Sequence, residues 1–369
     1  MFLTAANLAH YLTARAYIQV SDIVDGQFSV VEAGQNNRNF KVRWGSHHGC
    51  FIKQVKSLEE LRRTSIRREA TCYRWAQQFP DWARLIPAVI DYDAARYTLI
   101  LELLPHSQNL REYYYQQTTF SESIAVSLAQ ALSAFHMIEL DPQPSLPLNN
   151  QELPAFTKKV PWIFTYHKKS YFDPAHLSGG AEQLGVVVRG LPQLQLDLAR
   201  LFEIWRFEEI IHADIKWDNC LVYPDQGALQ LKIIDWEVVD IGDARWDVGS
   251  VFQAYLSYWI MRHYRDLKQQ RQQMVDETKQ NMPQMFSSIQ AFWNSYCLAR
   301  NIADVDRSTY LTVCLEFAAV RILQTAFESL HFCSEMSPHA YALLDMSQQV
   351  LRDPRRAAVE LFGFAEDAL

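Results

Sequence analysis

Two apolar runs in this chain end on charges, and that pattern restricts the fold more than any other feature. The first, IIHADIKWDNCLVY (residues 210–223), holds a His, two Asp, a Lys and an Asn between β-branched and aromatic residues. The second, LKIIDWEVVDIGDARWDVGS (231–250), stops on Asp235, 21 residues after Asp214. Surface loops carry charge but seldom lie between apolar runs, and core strands seldom stop twice on carboxylates. The reading that satisfies both runs is strand, loop, strand, with the loop turned to a polar task.

The rest of the chain divides by period. Residues 27–55 alternate as strands (QFSVVEAG, NFKVRWG, CFIKQV) with polar turns between them. A helix follows over 57–79, with a capping box expected from Ser57 and Glu60. IPAVIDYD and YTLILELL (97–104) add two strands, the second closed by Pro105. Beyond it the pattern is helical: 121–139, about 190–209, 247–265, 283–300, 307–333 and 338–362. Residues 141–188 read as an irregular insert containing the basic-aromatic run KKVPWIFTYHKKSYF (158–172). The N-terminus reads as an amphipathic helix after Thr4, not as a signal peptide.

The 369 residues suit two domains. A formal charge of −7 argues against nucleic acid as a partner. Six cysteines without a CxxC pair fit reduced, buried thiols. The apolar stretch 248–261 is too short to span a bilayer. The expectation is a cytoplasmic protein with no membrane or nucleic-acid partner, monomeric or homodimeric.

Asp214, Asn219 and Asp235 offer three oxygen donors, which suits a hard cation such as Mg²⁺ with nucleotide phosphates. A carboxylate left over can face an incoming hydroxyl, the division of labour that phosphoryl transfer demands. In the first region, VVEAGQNNRNFKV (30–42) gives a Gly-Asn turn whose amides can cover phosphates. Lys53 sits mid-strand among apolar residues and needs a partner, which Glu69 on the next helix can supply. His212 reads as a loop anchor. Asp247 reads as a helix cap or a hydrogen-bond acceptor for the loop backbone, and Asp240 and Asp243 as turn carboxylates. Glu237 is either a group near the metal or a strand-end charge.

Taken together, IIHADIKWDNCLV, KIIDWEVVDIGDARWDVGS, FIK and RREATCYRW resemble the phosphotransferase family of aminoglycoside phosphotransferases and choline kinase, relatives of protein kinases. The resemblance covers roughly residues 25–260. It implies an α+β, bilobal protein-kinase-like fold. A small five-stranded antiparallel N-lobe with one helix (1–104) would precede a large, mostly helical C-lobe (105–369), with the nucleotide in the cleft. It further implies that Asp214 is the catalytic carboxylate and that Lys216 touches the transferring group. Asn219 and Asp235 would bind Mg²⁺, and Lys53 with Glu69 would hold the phosphates. Gly34, Asn36 and Asn37 would cover them, and Glu102 to Leu104 would form the hinge at the adenine. The cofactor is ATP, with GTP as the alternative. Ala213 stands where Gly is usual in much of the family. The expected activity is γ-phosphoryl transfer to the hydroxyl of a small molecule. One alternative is a Ser/Thr hydroxyl of a peptide, suggested by Lys216 and the insert; another is nucleotide binding without turnover.

Overall fold

The computed structural model describes residues 2–34, 37–45, 48–117, 119–139, 156–168, 177–262 and 271–366. The chain starts with helices α1 (Ala5–Ala14) and α2 (Val20–Val24), then strands β1 (Ser29–Ala33), β2 (Arg38–Trp44) and β3 (His48–Gln54). Helices α3 (Glu60–Ala76) and α4 (Pro80–Ala83) precede β4 (Val89–Asp93), β5 (Thr98–Glu102) and β6 (Gln108–Asn109). Next come α5 (Leu110–Gln116), α6 (Glu122–His136), α7 (Gly179–Arg189), α8 (Pro192–Glu203) and β7 (Glu209–Ile211). Strands β8 (Cys220–Asp225), β9 (Ala228–Ile233) and β10 (Asp240–Gly242) follow. The chain closes with α9 (Ala244–Arg262), α10 (Arg271–Asn281), α11 (Phe286–Ala299), α12 (Asp304–Ser329), α13 (Pro338–Arg352) and α14 (Pro354–Phe362).

Two compact units result. The first comprises Met1–Leu110 and Asn219–Val239, with Phe156. Its antiparallel sheet runs β1-β2-β3-β5-β4, the five strands expected. Alternation sorts the side chains of β3. Ile52 packs with Phe40, Val42, Ile100, Leu8 and Leu12 beneath α1, so Lys53, the next residue, points to the opposite face. There α3 presents Ile66, Glu69, Ala70 and Tyr73. The expected capping box at Ser57 does not form. The helix begins at Glu60 with Glu59 as N-cap and no side-chain cap bond, and Glu60 instead takes Arg63 and Thr64 of its own first turn. The β8–β9 hairpin pairs with β6. It is fixed to the rest of this unit by the Ile233 amide donating to Leu85 O at 2.7 Å and by Trp236 against Trp82.

The second unit, Arg111–Leu140, Thr157–Asp218 and Asp240–Leu369, is mostly helical. α9 and α12 lie close enough that a Cβ added at Gly249 would come within 2.6 Å of Cys314 O and 2.9 Å of Ala318 N. The 26-residue α12 is by length and composition alone apolar enough to cross a bilayer, but 72% of that stretch is buried, which is the character of a core helix. The final helix expected over 338–362 is two helices, because Pro354 cannot continue the first and Asp353 caps the second, accepting from the Arg356 amide at 3.0 Å. The region expected to be irregular contains the helical turn Trp162–Thr165 and nearly all of α7; residues 141–155 and 169–176 of it lie outside the described residues. Of its aromatics, Trp162 packs on Phe327 and Phe164 on Trp205, Trp246 and Phe317.

Candidate active site

In the first unit, Lys53 meets Glu69, the partner expected for it, and also Asp235 and Glu237. Its Nζ lies 2.7 Å from Glu69 Oε2 and 3.4 Å from Glu237 Oε2, and it also pairs with Asp235 Oδ1. The strand supplies a buried ammonium, α3 supplies Glu69, and the residues after β9 supply the other two. Asp235 holds a left-handed backbone (φ 70°), which turns the chain as the strand ends. Glu237 is held by the Ser65 hydroxyl, which donates to it at 3.1 Å. Burial alone would lower the Lys53 pKa, but Glu69, Asp235 and Glu237 outweigh it and keep the amine charged. Burial, with repulsion from the other two carboxylates, raises Glu69 despite the ammonium.

Asn219 stands at the same end of this hairpin, just before β8. Its carbonyl accepts from the Ile234 amide at 2.9 Å, which seats it beside Asp235 across the β8–β9 ladder. One carboxylate oxygen from each of Glu69, Asp235 and Glu237 lies within 4.8 Å of the other two. Even with Glu69 protonated, Asp235 and Glu237 about one ammonium leave the cluster net negative. Hard oxygen donors with that excess fit a divalent cation such as Mg²⁺.

Among the remaining expected residues, Gly34 has φ +82° after β1, and a Cβ there would meet Asn39 Nδ2 at 2.7 Å. Asn37 lies at the start of the return into β2, and Asn36 lies outside the described residues. Glu102 ends β5 and pairs with Lys232 at 2.6 Å. Leu104 is buried.

In the second unit, the loop leaving β7 is built around Asp247. This fully buried carboxylate accepts from the His212 amide at 2.6 Å and the Ala213 amide at 3.0 Å, and His136 Nε2 lies 3.3 Å from it. His212 Nδ1 accepts from the Asp214 amide at 3.2 Å, so the histidine anchors the loop, as expected of it. Ala213 has φ 67°, a conformation that favours glycine. The Trp246 indole donates to Ala213 O at 3.2 Å. Asp240, expected in a turn, opens β10 and accepts from the Thr157 and Lys158 amides, while Asp243 lies between β10 and α9 and pairs with Arg245.

Both carboxylate oxygens of Asp214 are taken by cations. Lys216 Nζ lies 2.6 Å from Oδ2 and Arg321 Nη2 lies 3.1 Å from Oδ1. Burial alone would raise this carboxyl, but Lys216 and Arg321 together hold it below the usual carboxylate range. Trp217 packs among Tyr114, Phe120, Tyr255 and Tyr258. A cavity of about 90 Å³ adjoins this loop, lined by Lys216, Trp217, Tyr258, Arg321, Thr325 and Glu328 among others. Arg321 did not emerge from the sequence. The signal available was a single cation in the apolar run FAAVRIL (317–323) of α12.

A five-stranded antiparallel sheet backed by α3, a lysine–glutamate pair, and a separate helical unit bearing a polar loop define a protein-kinase-like fold. A family model described as a phosphotransferase enzyme family matches residues 27–283. The chain belongs to that family. Among solved structures, it is similar to ADP-bound aminoglycoside phosphotransferase APH(2'')-Ib at 12% identity and TM-score 0.51, covering 94% of this chain and 99% of that one. It is also similar to a GDP complex of a variant aminoglycoside 2'-phosphotransferase-IIIa at 13% identity and TM-score 0.50, covering 95% of this chain and 98% of that one. At such identities the likeness is one of fold. Acyl-CoA dehydrogenase family member 10 of Mus musculus is 27% identical over 122 residues, 32% of this chain. The match spans only 10% of that relative's length.

Proposed function

We propose that this protein transfers the γ-phosphoryl group of ATP to a hydroxyl of a small molecule. The observation that carries the reading is the Lys53 cluster: one buried ammonium among three carboxylates, with a charge excess that a divalent cation neutralises. Lys53, oriented by Glu69, holds the nucleotide phosphates. Asp235 and Asn219 hold Mg²⁺, with Glu237 beside them. The metal supplies neutralisation of the charge that develops on the phosphate oxygens.

Asp214 orients the acceptor hydroxyl and takes its proton. The hydroxyl oxygen bonds to the γ-phosphorus as the bond to the β–γ bridging oxygen breaks, and ADP leaves. An ionised Asp214 at neutral pH is what this role requires. The small cavity beside it supports a small acceptor. Trp162 and Phe164 pack inward, which favours a structural role for these two aromatics of the insert over peptide docking.

The test is nucleotide binding and turnover with and without Mg²⁺. Asp235→Ala is expected to abolish the Mg²⁺ dependence of ATP binding. Asp214→Ala is expected to retain nucleotide binding while lowering turnover by roughly 10²–10⁴-fold. If both variants match the wild type, the assignment is wrong. Substituting GTP for ATP in the same titration identifies the nucleotide.

A further inference from the structure

Gln253 lies on α9 and is 4% exposed. Its side-chain Nε2 donates to Ser257 Oγ at 2.8 Å and to Thr325 Oγ1 at 3.0 Å. A glutamine amide is oriented by the hydrogen bonds around it, and here the two hydroxyls settle the matter. Each has a single hydrogen and gives it to a helix carbonyl, Ser257 to Ala254 O at 3.4 Å and Thr325 to Arg321 O at 3.0 Å. Both hydroxyl oxygens therefore meet Gln253 as acceptors, and Nε2 spends its two hydrogens on them. The carbonyl oxygen Oε1 has no donor among the described residues and is accessible rather than sealed in the core.

Gln253, Ser257 and Thr325 line the cavity of about 90 Å³, as do Lys216 and Arg321, the two cations paired with Asp214. Charge does not select what enters. The wall carries Arg111, Lys216, Arg321 and Glu328, and the carboxylates that pair with its cations, Asp214 and Asp218, bring the balance to zero. The other polar groups of the wall have partners. The Tyr258 hydroxyl donates to Tyr114 O at 3.2 Å, and the exposed Glu328 accepts from Gln324 at 2.8 Å. The Gln253 carbonyl is the buried exception. A ligand that fills the cavity without offering it a hydrogen strips its water and gives nothing back, which is unfavourable.

We propose that Gln253 is a specificity-determining residue of the acceptor site. Its carbonyl oxygen takes an O–H or N–H donor that the acceptor carries in addition to the hydroxyl it phosphorylates. The proposal rests on the phosphotransferase reading and adds the residue that selects among hydroxyl acceptors. An acceptor whose second polar group is an ether, a dialkyl amide or a quaternary ammonium has no hydrogen for Oε1 and is disfavoured. Trp217 and Tyr258, whose rings lie 5.2 Å apart, give the same cavity an apolar wall for the acceptor's carbon atoms.

The experiment follows the side-chain amide signal of Gln253 by proton–nitrogen NMR in the MgADP-loaded protein, the signal being assigned by its loss in Gln253→Met. Matched probes are titrated in: ethylene glycol against 2-methoxyethanol, and glycolamide against N,N-dimethylglycolamide. At least one donor probe is expected to shift the signal and to bind roughly threefold or more tightly than its methylated partner. The pair that responds tells an O–H from an N–H donor. Gln253→Met is expected to erase the preference, and Gln253→Glu, which keeps an acceptor oxygen, to retain it. Equal binding within both pairs, tighter binding of the methylated probes, no binding of either donor probe, or a preference surviving in Gln253→Met would each overturn the proposal. The wild-type pairs decide even if the variants do not fold. Loading reports separately on the parent reading. Failure to bind MgADP counts against the phosphotransferase, and the probe pairs are then read on the unloaded protein; loss of selectivity in a loaded protein counts against Gln253 alone.

Discussion

Asp214 and Ala213 show how much of the site rests on single residues. The depressed Asp214 pKa means that its contribution to stability is complete above the ordinary carboxylate range. That contribution is lost as the pH falls through the lower folded value. Replacing Arg321 by Met removes one of the two cations responsible, so the Asp214 carboxyl should rise. The acidic limb of the kcat/KM profile is expected to move to higher pH, and an unmoved limb would show that Lys216 alone sets it. At Ala213, the left-handed backbone opposes the side chain. Ala213→Gly is expected to stabilise the protein by about 1 kcal/mol in chemical denaturation; a loss of stability would mean that the methyl's packing outweighs the strain. The Lys53–Glu69 pair could be read from sequence because a strand lysine among apolar residues demands a nearby acid. Arg321 could not, since it reaches Asp214 across 107 positions and only tertiary packing brings the two together.

At the level of elements, periodicity located every strand of the first sheet. It failed where a neighbour overrode local preference. Ser57 and Glu60 have capping-box spacing, yet α3 begins only at Glu60, beyond the serine's reach. α7 was hidden in a segment rich in Gly and polar residues; the Ser178 hydroxyl caps it by accepting from the Ala181 amide at 3.2 Å. Gly179 and Gly180 sit against the 334–335 backbone, where a Cβ would clash. Gly249 plays the same part between α9 and α12. Gly249→Ala should force α12 outward, and Arg321 lies one turn beyond Ala318, which the new methyl would strike. We expect a lower Tm together with an acidic limb of the kcat/KM profile moved to higher pH, although no residue of the site has changed. A lower Tm with an unmoved limb would confine the effect to packing.

Across the whole molecule, the first unit is assembled from two stretches far apart in sequence, Met1–Leu110 and Asn219–Val239. A fragment ending at residue 110 lacks the ladder partners of β6, the Ile233 bond to Leu85 and the Trp236 contact with Trp82. Such a fragment is expected to show no cooperative thermal transition and rapid amide exchange throughout α3; a sharp transition would show that the N-terminal stretch folds without the hairpin. Lys53 and Asp235 are 182 residues apart. At about 5–20 residues per second on the ribosome, roughly ten to forty seconds separate synthesis of the ammonium from synthesis of the carboxylate that completes its cage. Through that interval the nascent chain carries an incomplete polar cluster and a bare tryptophan shelf, a natural landing place for a holdase.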